Sequence, residues 1–477
     1  MSKIEFSIYK DFEVQGKWWV LGNEDLKLSG ILKNSKEGLI LDIFGSFGSA
    51  SDLMQKNESK VHDIIVGNTF EGEVTLVECT EIYATASHFY DIDDSETYTR
   101  YIVRRAVKGR HYESKSHILL PKLTVEFTNL QAWLGYQPFE STHKPLGIQC
   151  NTDIETFESY VESERLKISS NISFSYTNAP FKSEILYKPA IVFEPDEPQN
   201  IEWYEEKIRS FQRLLCVLTN SKVFVESMRY LTFSKERSIT IVTSQAADYT
   251  NKELSIGNVF LIGFQELGHS ISTVIQKWYS CQIESSLLLY INVILRGSNM
   301  NIEDKFLSYA KAMESGHRNS SVSENKFMDD EDYKKIVQRM IDSVKHELDV
   351  NFINKLQGTL RYAHEYGFQR RIKETIKSVS EDLRVHLLLG NSVQNFADLI
   401  RINRDYYTHF GDSSDKIFTT SQLYYVNKSL KLIVLWQISR EIEIPEEVLV
   451  KAIEREAYDL LYLQKGVSLF RITDPIT

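Results

Sequence analysis

Ile402-Asn403-Arg404-Asp405-Tyr406-Tyr407-Thr408-His409-Phe410 is the stretch on which the reading of this chain turns. It closes a periodic apolar segment (Val393, Phe396, Ile400, Tyr407), spaced as one face of an amphipathic helix that opens at Ser392 and stops at Gly411. Arg404 follows Ile400 by four residues and precedes Tyr407 by three, so it projects from the apolar stripe. A guanidinium there is costly unless something anionic meets it. His409 is rotated by roughly 140° from Arg404 on a helix of 3.6 residues per turn, so the two side chains do not converge within one straight helix. Asp405 sits one turn before His409, where it can hold or charge the imidazole, and one turn after Arg401, with which it can form a surface pair.

Working outward, a chain of 477 residues is too long for one ordinary core, and two or three domains are expected. With 42% hydrophobic and 25% charged residues the composition is that of a soluble globular protein. No apolar run approaches the ~18 residues of a membrane span. The start, Met1-Ser2-Lys3-Ile4-Glu5-Phe6, has neither the apolar core nor the cleavage site of a signal peptide, so a cytoplasmic location is expected. Cys79, Cys150, Cys216 and Cys281 have no paired spacing and read as free thiols, not as a disulfide framework or a zinc site. The net charge of −11 argues against a general nucleic-acid coat. Yet from about residue 270 onward 27 basic side chains face 28 acidic ones, so the excess negative charge lies in the front half. A nuclease in the back half would need only a local basic pocket.

Residues 1–138 read as β-rich. Trp18 to Leu21, Leu39 to Phe44, Val74 to Val77, Tyr98 to Val107 and Lys122 to Phe127 are short runs bounded by turn residues, as in an antiparallel sandwich or barrel. Residues 139–250 are mixed and continue the same module. Strands Leu166 to Tyr176 and Ile185 to Phe193 lead through the breaker Glu194-Pro195-Asp196-Glu197-Pro198 to a helix, Ile201 to Leu218. Strands Val223 to Phe233 and Ser238 to Thr243 follow, and the polar run Ser244 to Ser255 reads as a linker. Residues 265–477 are expected to be all-α, with helices near 271–295, 303–316, 331–348, 367–389, 392–410, 418–441 and 445–463 and an exposed loop from Gly316 to Asp332. The expected fold class is therefore α+β, a β-rich N-terminal half followed by an all-α C-terminal bundle.

The R-x4-H spacing of Arg404 and His409, late in a helical domain, resembles the motif of HEPN ribonucleases, and the rest of the chain resembles the ApeA-type HEPN proteins of bacterial anti-phage defence. In front, the resemblance rests on Leu28-Ser29-Gly30-Ile31-Leu32, Leu39 to Gly45, Ile65-Val66-Gly67, Val74-Thr75-Leu76 and Phe127 to Leu134. Behind, it rests on Phe306 to Glu314, His317-Arg318 and the string Arg404, Asp405, Thr408, His409. Many members of the family carry Asn where Asp405 stands. The resemblance implies a C-terminal HEPN bundle that cuts RNA without metal or other cofactor. It also implies a composite site across a homodimer or higher homo-oligomer, host or phage RNA as substrate with transfer RNA one candidate, abortive infection as outcome, an N-terminal half that senses or regulates, a phage-derived trigger and no membrane partner.

The chemistry suits the residues. Histidine titrates near neutrality and can move the proton of a 2′-hydroxyl or of the leaving 5′-oxygen. Arginine offers paired donors to phosphate oxygens as charge builds on them. Catalytic roles are thus expected for Arg404 and His409, an orienting role for Asp405, and an RNA contact for Tyr406. Against these stand plainer roles: an ion pair for Arg404, a dipole-favoured helix end for His409, a pair with Arg401 for Asp405, and core packing for Tyr406 and Tyr407. Glu314 is a candidate partner for a motif residue. His317-Arg318 is a lesser candidate for a second site, with a pairing to Glu314 as the plain alternative. The rival function is a non-catalytic HEPN scaffold that binds nucleic acid or a protein. A ligand-binding β domain joined to a helical dimerisation module ranks third.

Overall fold

In the computed structural model, residues 6–8, 11–48, 60–87, 96–143, 146–179, 182–231, 238–243, 260–281, 284–320, 324–409 and 415–456 are described. They divide into two units, one of residues 1–215 and 223–259 and one of residues 216–222 and 260–477. The linker expected at Ser244 to Ser255 lies outside the described residues.

In the first unit, alternating apolar residues bury one face of strands such as Leu28–Ser35 and Leu123–Phe127, while Gly38–Phe44 is buried on both faces. β1 (Phe12–Val20), β2 (Leu28–Ser35), β3 (Gly38–Phe44), β4 (Val61–Thr69), β5 (Gly72–Ser87) and β6 (Glu96–Lys108) run in the spatial order β6-β3-β2-β1-β4-β5. β5 also pairs back onto β6, so the six strands close into a barrel and the barrel half of the expectation holds. Trp18 is fully buried inside it, its ring filling the space that a side chain at its cross-strand partner Gly67 would need. From β6 an open sheet continues in the order β14-β13-β7-β12-β11-β10. Its strands are β7 (Leu123–Phe127), β10 (Glu158–Val161), β11 (Leu166–Ala179), β12 (Lys182–Pro195), β13 (Val225–Leu231) and β14 (Ser238–Thr243), while β8 (Phe139–His143) and β9 (Leu146–Cys150) form a separate hairpin. β6 gives one whole edge to β5 and divides the other, Tyr98 to Ile102 pairing with β3 and Arg105 to Lys108 with β14. Segments 1–138 and 139–250 therefore share one sheet.

Helix α1 (Ile201–Thr219) sets Phe211 against Phe127 of β7 and Phe193 of β12. The buried Arg105 of β6 joins it through Glu205 at 2.6 Å and Glu202 at 3.0 Å. Breaking such a pair by truncating one partner costs several kcal/mol, because a buried charge is left alone.

The second unit is helical: α2 (Ile271–Ser280), α3 (Glu284–Arg296), α4 (Ile302–Arg318), α5 (Asp330–Val344), α6 (Val350–Leu360), α7 (Phe368–Ser378), α8 (Glu381–Leu387), α9 (Val393–His409) and α10 (Thr420–Glu441), with residues 446–456 also helical. α10 is apolar nearly all round, and side chains from Leu423 to Ile438 are buried on every face, as a central helix requires. α4 packs against it and against α3, α7 and α9. Several expected boundaries move. The segment 271–295 breaks where Cys281 turns extended, and 367–389 breaks at the extended Val379. α4 runs through Arg318, into the stretch expected to be a loop. α6 was not expected at all. Asp349 starts it by accepting the amides of Asn351 and Phe352, but Gly358 and two asparagines weaken its helical signal.

Candidate functional site

α9 carries the motif. Phe396, Ala397, Leu399, Ile400 and Asn403 are its buried residues, and Arg404 leaves the helix at the border of this face with 27% of its side chain exposed. Its cost is met as the apolar setting demands. Nη1 donates to Asp405 Oδ1 at 2.9 Å, Nη2 reaches Glu314 Oε2 of α4 at 3.3 Å, and the guanidinium lies 4.5 Å from the ring centroid of Phe368 on α7. The expected partner Glu314 is thus in place. Phe368 was not foreseen, because nothing in its local spacing points to Arg404.

Asp405 also takes Arg401 at 3.4 Å, so its carboxylate faces two arginines, and no hydrogen bond joins it to His409 among the described residues. Its plainer role is therefore the one the geometry contains. His409 ends α9 exposed, apart from the Arg404 cluster as the helical rotation requires. Tyr406 is half-buried with its ring edge-on to Tyr407 at 5.2 Å. Tyr407 packs on Phe306 and donates its hydroxyl to Phe418 O at 3.1 Å. Asn403, for which the sequence suggested no one role, is fully buried. It donates to Leu399 O and Lys416 O at 2.9 Å each and accepts from the Phe418 amide at 2.7 Å, tying residues 416–418 to the motif helix.

The ion pairs continue past Glu314. Arg318, one turn later on α4, reaches Glu314 at 3.5 Å and Glu365 at 3.9 Å, and Glu365 holds Arg371 of α7 at 2.9 Å. Four arginines (Arg318, Arg371, Arg401, Arg404) thus share three carboxylates (Glu314, Glu365, Asp405), so this ladder of ion pairs has one arginine in excess. His317 is buried beside Tyr366. Burial, with the Arg371 guanidinium adding to it, holds its pKa below the usual value of 6.5. A neutral, enclosed imidazole is a core residue of this bundle, while Arg318 takes the pairing to Glu314 that was its plain alternative. No group of three or more His, Cys, Asp or Glu side chains suited to a metal occurs among the described residues. Nor is any helix there long and apolar enough to cross a membrane.

The strings that carry the resemblance thus fall in both units, the front ones from Leu28 to Leu76 on β2 to β5 of the barrel and the back ones on α4 and α9 of the helical unit. The ApeA N-terminal domain 1 family matches residues 13–278, more than half of the chain, and the Apea-like HEPN family matches residues 307–448, which include Glu314, Arg404 and His409. The chain belongs to the ApeA family, and its helical unit contains an Apea-like HEPN domain. No curated protein and no solved structure matches it.

Proposed function

We propose that the protein is a metal-independent HEPN endoribonuclease of anti-phage defence, with Arg404 and His409 as its catalytic residues. The observation that carries this reading is the setting of Arg404: a guanidinium at the surface, laid on Phe368 and steered by Glu314 and Asp405, on the helix that ends in an exposed His409. In the reaction the 2′-oxygen attacks the adjacent phosphorus as His409 takes its proton. The P–O5′ bond breaks, a second imidazole protonates the leaving 5′-oxygen, and a 2′,3′-cyclic phosphate remains. Arg404 exchanges a carboxylate for phosphate oxygens and stabilises the charge that grows on them. Two imidazoles and a guanidinium come to one phosphate when two copies of α9 meet about a two-fold axis. Transfer RNA is the substrate class suggested by the family resemblance, and the β-rich unit is the candidate sensor of a phage-derived trigger.

The scaffold reading keeps one observation in its favour: Glu314 and Asp405 already occupy Arg404, as they would for a purely structural arginine. Incubation of the full-length protein with total RNA in EDTA separates the two. Wild type should yield fragments ending in cyclic phosphate, and loss of general acid–base catalysis should slow His409→Ala by about 10²–10⁴-fold. Arg404→Lys should fail as well, because a point charge does not reproduce two parallel donors. Equal cleavage by His409→Ala, with folding unchanged, removes His409 from the mechanism.

A further inference from the structure

Arg370 differs from the four arginines of the ion-pair ladder in making no ion pair among the described residues. The acids near it are engaged elsewhere: Glu365 holds Arg371 at 2.9 Å, and Glu374, one turn along α7, pairs with Lys377 at 3.3 Å. Its guanidinium instead lies against two rings, 3.9 Å from the centroid of Tyr366 and 4.5 Å from that of Phe327. Tyr366 is buried, whereas Phe327 stands edge-on to it at 4.9 Å and leaves 58% of its own surface in solvent. The platform is braced from below. The amide of Phe327 donates to His364 O and that of Tyr366 donates to Asn325 O, an antiparallel backbone bridge centred on Lys326 and Glu365 that straps residues 325–327 along 364–366.

The position of this platform gives it meaning. Phe368, two residues before Arg370 on the same first turn of α7, is the ring on which Arg404 rests. Side chains two residues apart on a helix point about 200° apart, so the two cations flank one turn of backbone and do not crowd each other. A cation without a carboxylate, spread on aromatic rings beside an exposed phenyl face, is the equipment for one nucleotide of a single strand: phosphate on the guanidinium, base on the ring. A base paired within a duplex does not offer its face in this way.

From this we infer that Arg370 and Phe327 form an RNA-binding subsite for an unpaired nucleotide of the strand, separate from the phosphate that meets Arg404, an inference that rests on the nuclease reading of Arg404. The test is binding of a fluorescent single-stranded RNA of mixed sequence to full-length His409→Ala protein across a salt series, so that cleavage plays no part. In that background Phe327→Ala should weaken binding roughly 5- to 150-fold, the range for losing one base–aromatic stack. Arg370→Gln should weaken binding and flatten the dependence of log affinity on log salt by about 0.7, one phosphate contact on a single strand. Phe327→Trp, which keeps a stacking face, should bind like its parent and guards against a folding artefact. Parental affinity in both Phe327→Ala and Arg370→Gln overturns the subsite and makes this surface a contact for something other than RNA. Failure of the parent to bind RNA overturns it as well. Sensitive binding without any cleavage by wild type leaves the subsite standing and removes the nuclease reading. Cleavage by wild type with insensitive binding does the reverse.

Discussion

Asn403 shows how much one residue beside a motif can carry. Its side chain closes three hydrogen bonds in a fully buried place, and Asn403→Ala removes all three, those to the Phe418 amide and the Lys416 carbonyl among them. A hydrogen bond of this kind contributes about 0.5–1.5 kcal/mol, and chemical denaturation should find the variant less stable by roughly that much or more; a change near zero would mean that water takes over these bonds. His317 yields a prediction in pH. Burial and Arg371 depress its pKa in the folded state, so the unfolded chain binds the proton first as pH falls through 6.5. Its contribution is complete above that value and declines below it, through the lower folded-state pKa. His317→Gln should therefore show a shallower loss of stability between neutral and acidic pH than wild type, and parallel curves would place the acid sensitivity elsewhere. At this scale the sequence was partly legible. The apolar spacing placed Arg404 where an anion was required, and Glu314 stood separately as a candidate partner for a motif residue. It could not reveal Phe368 or the clamp made by Asn403, since both depend on segments brought together only by folding.

The same substitution has opposite signs in two elements. In β4, a Cβ at Gly67 would fall 2.2 Å from the Trp18 ring, which is fully buried and has nowhere to retreat. Gly67→Ala should lower stability by about 1–3 kcal/mol through overpacking. In α6, Gly358 has nothing within 4 Å of a Cβ, and Gly358→Ala should raise stability by about 0.8–1.0 kcal/mol through helix propensity alone. Urea titrations of the two variants check both signs, and a neutral Gly67→Ala would mean that the barrel interior yields. Elements with strong periodicity, such as α1 and α9, were legible almost to their ends because apolar spacing is a local signal. The breaks at Cys281 and Val379 were not, since single β-branched or thiol residues extend the backbone only where packing asks for it. The closure of β5 onto β6 was equally hidden, because alternation reveals which face a strand buries and not which strand lies beside it.

For the whole molecule, the divergence of Arg404 and His409 sets a requirement on assembly. On the proposed mechanism both reach one phosphate, and a second copy of α9 is the proposed source of the missing geometry. Light scattering of the full-length protein should give at least twice the mass of the 55.4 kDa chain, and a strictly monomeric species with full RNase activity would sink the composite site. The charge of the chain was a fair guide here. Its acidity lies mainly in the front half, and around Arg404 arginines outnumber carboxylates. The divided edge of β6 has a further consequence. A strand that closes the barrel through β5 and β3 while anchoring the open sheet through β14 cannot release one without loosening the other. Barrel and sheet are thereby joined through one continuous backbone, with β3 and β14 bound to successive stretches of β6. Among the described residues, β7 from before residue 138 lies between β12 and β13 from after it, so the expected boundary there does not divide the sheet.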